Sequence, residues 1–149
     1  MSFRLAFERE LVSVPVMRQV LGDTLRGADV DEDSIADILL AATEACSNVV
    51  LHAGPSVRAY TVALTVDGAI CRVEVTDVGR GLLVPAISPR RGPGRDTVAS
   101  AGALAESGRG LSIMRACMDE VTLRSAPGRG TRVVLGKRVR WSQPLARTA

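Results

Sequence analysis

Glu44-Ala45-Cys46-Ser47-Asn48-Val49-Val50-Leu51-His52 is the stretch on which the fold turns. Four residues advance an α-helix by about 400°, so Glu44, Asn48 and His52 project along nearly one face. The residues around them are apolar, and a carboxylate and an amide in such surroundings need partners. Two explanations stand at this point. Glu44 pairs with an arginine and Asn48 with backbone, or both face a ligand. The helix extends back through Ala42, Leu39, Ile38 and Ile35 to Asp31, where Asp31, Glu32 and Asp33 suit the positive end of the helix dipole. Forward, Gly54-Pro55 stops it.

Outward from that helix the pattern is α+β. Phe3–Glu8 alternates as a short strand. Ser13 is placed to cap a first helix with Pro15 in its first turn and Met17, Leu21 and Leu25 on one stripe, ending at Gly27. Val57–Val66, the turn Asp67-Gly68 and Ala69–Thr76 read as a hairpin. On its second strand Cys71, Val73, Val75 and Asp77 share a face, so Asp77 points where the valines point. Residues 82–107 hold Pro85, Pro89 and Pro93 with little apolar periodicity, a length that marks a functional loop or lid. Gly108-Arg109-Gly110 opens a third helix carrying Leu111, Met114 and Met118. Strands over Glu120–Ser125 and Thr131–Arg140 follow, and residues 141–149 read as a flexible tail. Helices first and then a meander broken by one helix predict a two-layer sandwich. Its sheet is mixed and mostly antiparallel, with helices on one face. Residues 1–140 form one domain in this reading.

Composition narrows the function classes. With 46% hydrophobic and 23% charged residues the 149-residue chain can bury a real core. Residues 1–79 carry net −6 and residues 80–149 net +9, a block asymmetry that favours an anionic ligand for the second half. Aromatics are only 3%, too few for base-stacking platforms, so direct nucleic-acid binding is not expected. No stretch is read as a membrane span or a secretion signal, since the longest apolar patch noted, Thr97–Ala105, is short. Cys46, Cys71 and Cys117 form no CxxC pair and His52 is the sole histidine. They read as reduced core thiols of a cytoplasmic protein rather than a zinc site.

Three further motifs carry chemistry. Asp77-Val78-Gly79-Arg80-Gly81 puts an inward carboxylate at a strand end, able to accept from an exocyclic amine, beside two glycines that let backbone approach a planar ligand. Gly108-Arg109-Gly110-Leu111 presents backbone N–H groups at a helix start, an anion site. Arg109, with Arg90, Arg91 and Arg95, is placed to add charge there. Gly130-Thr131 opens the last strand. Each motif alone is also explained as an ordinary turn or cap. A P-loop is excluded, because no GxxxxGK[ST] occurs.

Taken in order, these pieces resemble the GHKL superfamily of ATP-binding domains over residues 3–137. The likeness is strongest to the anti-sigma-factor serine-protein kinases of bacterial partner-switching modules. Residues 44–53 resemble the family's N box, 77–81 its G1 box and 106–114 its G2 region. The resemblance implies the Bergerat-type fold with residues 82–107 as an ATP lid, and ATP and Mg²⁺ as cofactors. It implies Glu44 as the catalytic base, Asn48 as the Mg²⁺ ligand, and Asp77 with Thr131 as readers of adenine. Gly79 and Gly81 shape the pocket floor, and Gly108, Arg109, Gly110 and Leu111 meet the phosphates. The partners it implies are a sigma factor, a STAS-domain anti-anti-sigma protein phosphorylated on Ser or Thr, and a second copy of the chain in a homodimer. The alternative is a nucleotide-loaded switch that sequesters its partner without transferring phosphate.

Overall fold

The computed structural model describes residues 1–77, 109–126 and 130–142. In chain order it contains β1 (Ser2–Glu8), α1 (Ser13–Gly27), α2 (Glu32–His52), β2 (Ala59–Asp67) and β3 (Ile70–Asp77). After these come α3 (Gly110–Cys117), β4 (Glu120–Ala126) and β5 (Gly130–Arg138). The strands make one sheet in the order β1-β2-β3-β5-β4. Every pairing among the described residues is antiparallel, a narrower arrangement than the mixed sheet expected. The α+β class is borne out.

Side-chain alternation divides the sheet. Tyr60, Val62, Leu64 and Val66 of β2, Cys71, Val73 and Val75 of β3, and Val133 and Leu135 of β5 are buried on one face. Met17, Leu21 and Leu25 of α1 and Ile35, Ile38, Ala42, Cys46 and Val49 of α2 join them in one core. Each large aliphatic side chain so buried contributes about 1.5–3 kcal/mol. Asp77 lies on that same face at 4% exposure, as the period-2 reading of β3 required.

The ends of the elements differ from expectation in instructive ways. Asp31 does cap α2, its Oδ1 accepting the Ser34 N–H at 3.1 Å. Ser13 does not cap α1. The N-cap is Val12, and the Ser13 hydroxyl instead donates to the Glu10 carbonyl and meets the Tyr60 hydroxyl, each at 2.6 Å. Burial decides this, because a Tyr hydroxyl in the core needs a partner. The tail also begins later than residue 141. Trp141 bridges to Val30, the Ser142 N–H donates to the Asp29 carbonyl at 2.7 Å, and Arg140 pairs with Asp31 at 3.2 Å. The chain end is thereby strapped to the start of α2, and only residues 143–149 of the tail lie outside the described residues. Finally, α2 is long and apolar enough, by length and composition, to cross a membrane, with a mean hydropathy of 1.4. That corrects the expectation of no such stretch. Half of the window is buried, because the helix is flanked by α1 and α3 and lies over the sheet.

Candidate functional site

Two clusters take shape where the motifs meet. In the first, α3 begins against the middle of α2. A Cβ at Gly110 would stand 3.2 Å from Glu44 Oε2 and 3.3 Å from Asn48 Nδ2, so glycine is what lets the helix start approach these side chains. Glu44 makes no ion pair or hydrogen bond among the described residues, and Asn48 Nδ2 is buried without a partner. The structural explanation for this helix face, an arginine for Glu44 and backbone for Asn48, is therefore not what the described residues show. A buried amide with an open position is a ligand group in waiting, since orphaned polar atoms are costly. Arg109 is the N-cap of α3. The Arg109 side chain makes no capping hydrogen bond and no acid sits in the first turn, so the positive end of the helix dipole faces Glu44 and Asn48. The Arg109 side chain is exposed, and the Leu111 side chain packs against the core, so Leu111 offers the site only backbone.

The second cluster sits at the C-terminal end of β3. Asp77 Oδ1 accepts the Thr131 N–H at 2.9 Å, and the Thr131 hydroxyl donates to Ser125 Oγ at 3.1 Å. Burial pushes the Asp77 carboxyl above its ordinary range, and Thr131 and the Arg9 guanidinium pull it part of the way back. Gly130 has φ +80°, and a Cβ there would overlap Asp77 Oδ1 and lie 3.1 Å from its Cγ. Gly130 is thus the one residue type that allows the carboxylate to sit under the Thr131 N–H. Gly130→Ala is expected to lower Tm by roughly 4–10 °C, combining left-handed strain with the clash. Gly27→Ala, where nothing stands within 4 Å, is the control and should change Tm little. Equal thermal shifts in the two variants, read by calorimetry, would contradict this account.

Not every expected residue joins these clusters. Gly79, Gly81 and Gly108, with the lid 82–107 and its Arg90, Arg91 and Arg95, lie outside the described residues. His52 is exposed at the end of α2. Cys46, between Glu44 and Asn48 in sequence, is a core group. Burial pushes its thiol up to about 12, too high for a nucleophile. Arg9 escaped sequence reading. Its guanidinium donates to the carbonyls of Val50 at 3.1 Å, Gly54 at 2.7 Å and Val57 at 3.3 Å, closing the end of α2. A single arginine more than forty positions away leaves no local signal. Ser125 was legible only through register, because β4 and β5 place it opposite Thr131.

Comparison with known proteins gives the family. A family model described as a histidine kinase-like ATPase domain matches residues 7–137. The anti-sigma F factor of Pasteuria penetrans is 31% identical over 115 residues, covering 76% of this chain and 75% of its own. That of Geobacillus kaustophilus is 29% identical over 120 residues, 78% of each chain. A crystal structure of the RsbU and RsbW domains of a Mycobacterium tuberculosis protein superposes with a TM-score of 0.69 at 20% identity. It covers 98% of this chain and 35% of that one, a likeness of fold. The chain belongs to the histidine kinase-like ATPase domain family, within the GHKL superfamily, and is similar there to bacterial anti-sigma factors.

Proposed function

We propose that this chain is an ATP- and Mg²⁺-dependent anti-sigma factor that binds a sigma factor and phosphorylates a serine or threonine of a STAS-type anti-anti-sigma protein. One observation carries the reading. Glu44 and Asn48, one turn apart, stand together against the N-terminus of α3, with Asn48 Nδ2 orphaned and Glu44 unpaired among the described residues. The names of the anti-sigma F relatives support the sigma-factor partner. A cytoplasmic site of action accords with that partner. The homodimer is supported by the edge strand β1 and by Leu11 and Val12, exposed at 72% and 62% beside it.

The donor set fits the ion. Asn48 can turn its amide to present Oδ1, a neutral hard oxygen of the kind that would hold the ion. Bound there, Mg²⁺ supplies charge to the phosphates as negative charge develops. The chain's own residues do the rest. The Asp77 carboxylate, whose Oδ1 accepts the Thr131 N–H, has lone pairs left to accept from the adenine amine. The first-turn N–H groups of α3 meet phosphate oxygens. Glu44 takes the proton of the acceptor hydroxyl as its oxygen bonds to the γ-phosphorus and the bond to the ADP oxygen breaks. No covalent intermediate on the protein is needed.

The deciding experiment is transfer of labelled phosphate from ATP to a cognate STAS-domain protein. Incorporation supports the kinase. Nucleotide binding without incorporation leaves a sequestering switch. Asn48→Ala is expected to remove most of the gain in ATP affinity that Mg²⁺ provides, about tenfold or more, measured by titration with and without the metal. A wild-type protein indifferent to Mg²⁺ would dispose of the Asn48 assignment.

A further inference from the structure

Lys137, the only lysine in the chain, stands where the strand pattern asks for an apolar residue. It follows Val133 and Leu135 at two-residue steps on the helix-covered side of β5, and its register partner is the buried Cys71. Its side chain is only 15% exposed. From that position the ammonium makes two bonds. Nζ donates to the Cys117 carbonyl at 2.7 Å and pairs with Asp37 Oδ2 at 2.9 Å. Cys117 is the last residue of α3, and Asp37 lies in the first half of α2. One side chain of the sheet thus joins the two helices that frame the Glu44–Asn48 cluster.

Spacing along α2 gives this bond a consequence. Asp37, Glu44 and Asn48 are separated by seven and four residues, so all three project within about 40° of one another. Seven residues advance a helix by about 10.5 Å, and the eight residues of α3 span about 12 Å. Helix α3 therefore runs antiparallel to α2, with Gly110 at Glu44 and Asn48 and Cys117 level with Asp37. Between those ends α2 offers Ala41 and, beside it, Ala45, both fully buried. Methyl groups let helices come close but raise no ridge against sliding, so polar contacts at the ends of α3 bear on its register. At its start, Asn48 Nδ2 is orphaned. At its end no glycine closes the helix, since Met118 follows in extended conformation. The ammonium takes that place, a positive charge at the negative end of the dipole. Asp119 fastens the next turn to β5 through Gly136 and Arg138, and Lys137 adds the tie to α2.

We infer that Lys137 is a positioning residue for the phosphate end of the site: by joining the Cys117 carbonyl to Asp37 it sets how far along α2 the helix α3 stands, and so where the α3 N-terminus meets Glu44 and Asn48. The inference rests on the reading of that N-terminus as the seat of the nucleotide phosphates, and it gives Lys137 no contact with the nucleotide. A slip of one residue along the axis is about 1.5 Å, enough to carry N–H groups out of hydrogen-bond distance. The adenine end is held elsewhere. Asp77 and Thr131 sit on β3 and β5, and Thr131 is six residues from Lys137 along the strand, about 20 Å. Loss of the tie is therefore felt by the phosphates and not by the base.

ATP with Mg²⁺ and adenosine are the probes, each titrated into the whole chain by calorimetry. Lys137→Met, which keeps the aliphatic stem and removes the ammonium, is expected to lower the ATP-over-adenosine affinity ratio by roughly threefold to tenfold, with adenosine unchanged. Asp37→Asn separates position from charge by its sign. As a mere change of field, removal of an acid tightens a polyanion; as loss of the tie, it weakens ATP in the same direction as Lys137→Met. In the Lys137→Met background, Asp37→Asn should add nothing to the ratio. A purely structural role for Lys137 weakens both ligands together and leaves the ratio alone, and that result overturns the inference, as does ATP binding tightened by Asp37→Asn. Should Lys137→Met fold poorly, Asp37→Asn, at a half-exposed side chain, must show the lowered ratio or the inference fails. Wild-type protein that binds neither ligand removes the nucleotide reading and this inference with it. A wild-type ratio that survives in Lys137→Met removes this inference alone.

Discussion

Glu44→Gln is expected to keep ATP binding and to transfer phosphate about 10²- to 10⁴-fold more slowly. The expectation starts from what Glu44 does not do. It holds no arginine and caps no helix among the described residues, so its removal breaks no structural contact there and stability should move by less than about 0.5 kcal/mol. Glutamine keeps the shape against Gly110, where the absent Cβ leaves it room. Only basicity is lost. With the amide in place, the acceptor hydroxyl must shed its proton to water as the phosphoryl group arrives. Binding by calorimetry and single-turnover transfer of labelled phosphate separate the two effects. Undiminished transfer strips Glu44 of the base role. Joint loss of binding and transfer would make it a nucleotide or fold contact instead.

Much of the fold was readable because its signals are local. The four-residue spacing from Glu44 to His52, the Asp31 cap and the Asp67-Gly68 turn each act within one element, and the elements formed where they pointed. Asp77 was placed by alternation alone. What could not be read depends on contacts between distant segments. Ser13 looks like a cap in sequence and is a partner of Tyr60, 47 positions away. Arg9 carries no signal in sequence and closes the end of α2. Part of the charge asymmetry is used within the fold. Arg132 pairs with Glu74 at 2.7 Å, Lys137 with Asp37 at 2.9 Å and Arg140 with Asp31 and Asp33. These three basic residues of the second half are thus spent on acids of the first, as neighbours in space.

Asp77→Asn should move binding and stability in opposite directions, and that opposition identifies Asp77 as a functional rather than a structural acid. At 4% exposure the carboxylate is desolvated, and its pKa lies above the ordinary value near 3.8 chiefly for that reason. The folded chain therefore favours the protonated form more than the unfolded chain does. The sign follows: Asp77's contribution to stability is fully present below its unfolded pKa and is lost as pH rises through the higher folded one. At neutral pH the ionised group is a cost. Asparagine removes the charge and keeps an oxygen for the Thr131 N–H, so the free protein should melt higher than wild type at pH 7, with the gap closing on acidification. ATP affinity should fall about tenfold to a hundredfold, the worth of a hydrogen bond to a charged acceptor, with selectivity for adenine over guanine falling too. In wild type the same titration appears as loss of ATP binding on acidification, beginning above the ordinary carboxylate range. Melting curves of the free proteins from pH 4 to pH 8, set beside competition binding at each pH, supply both halves. A variant that melts lower at neutral pH would mean that the Asp77 charge is held for the fold, through Arg9 and Thr131, and the adenine reading would lose its main support.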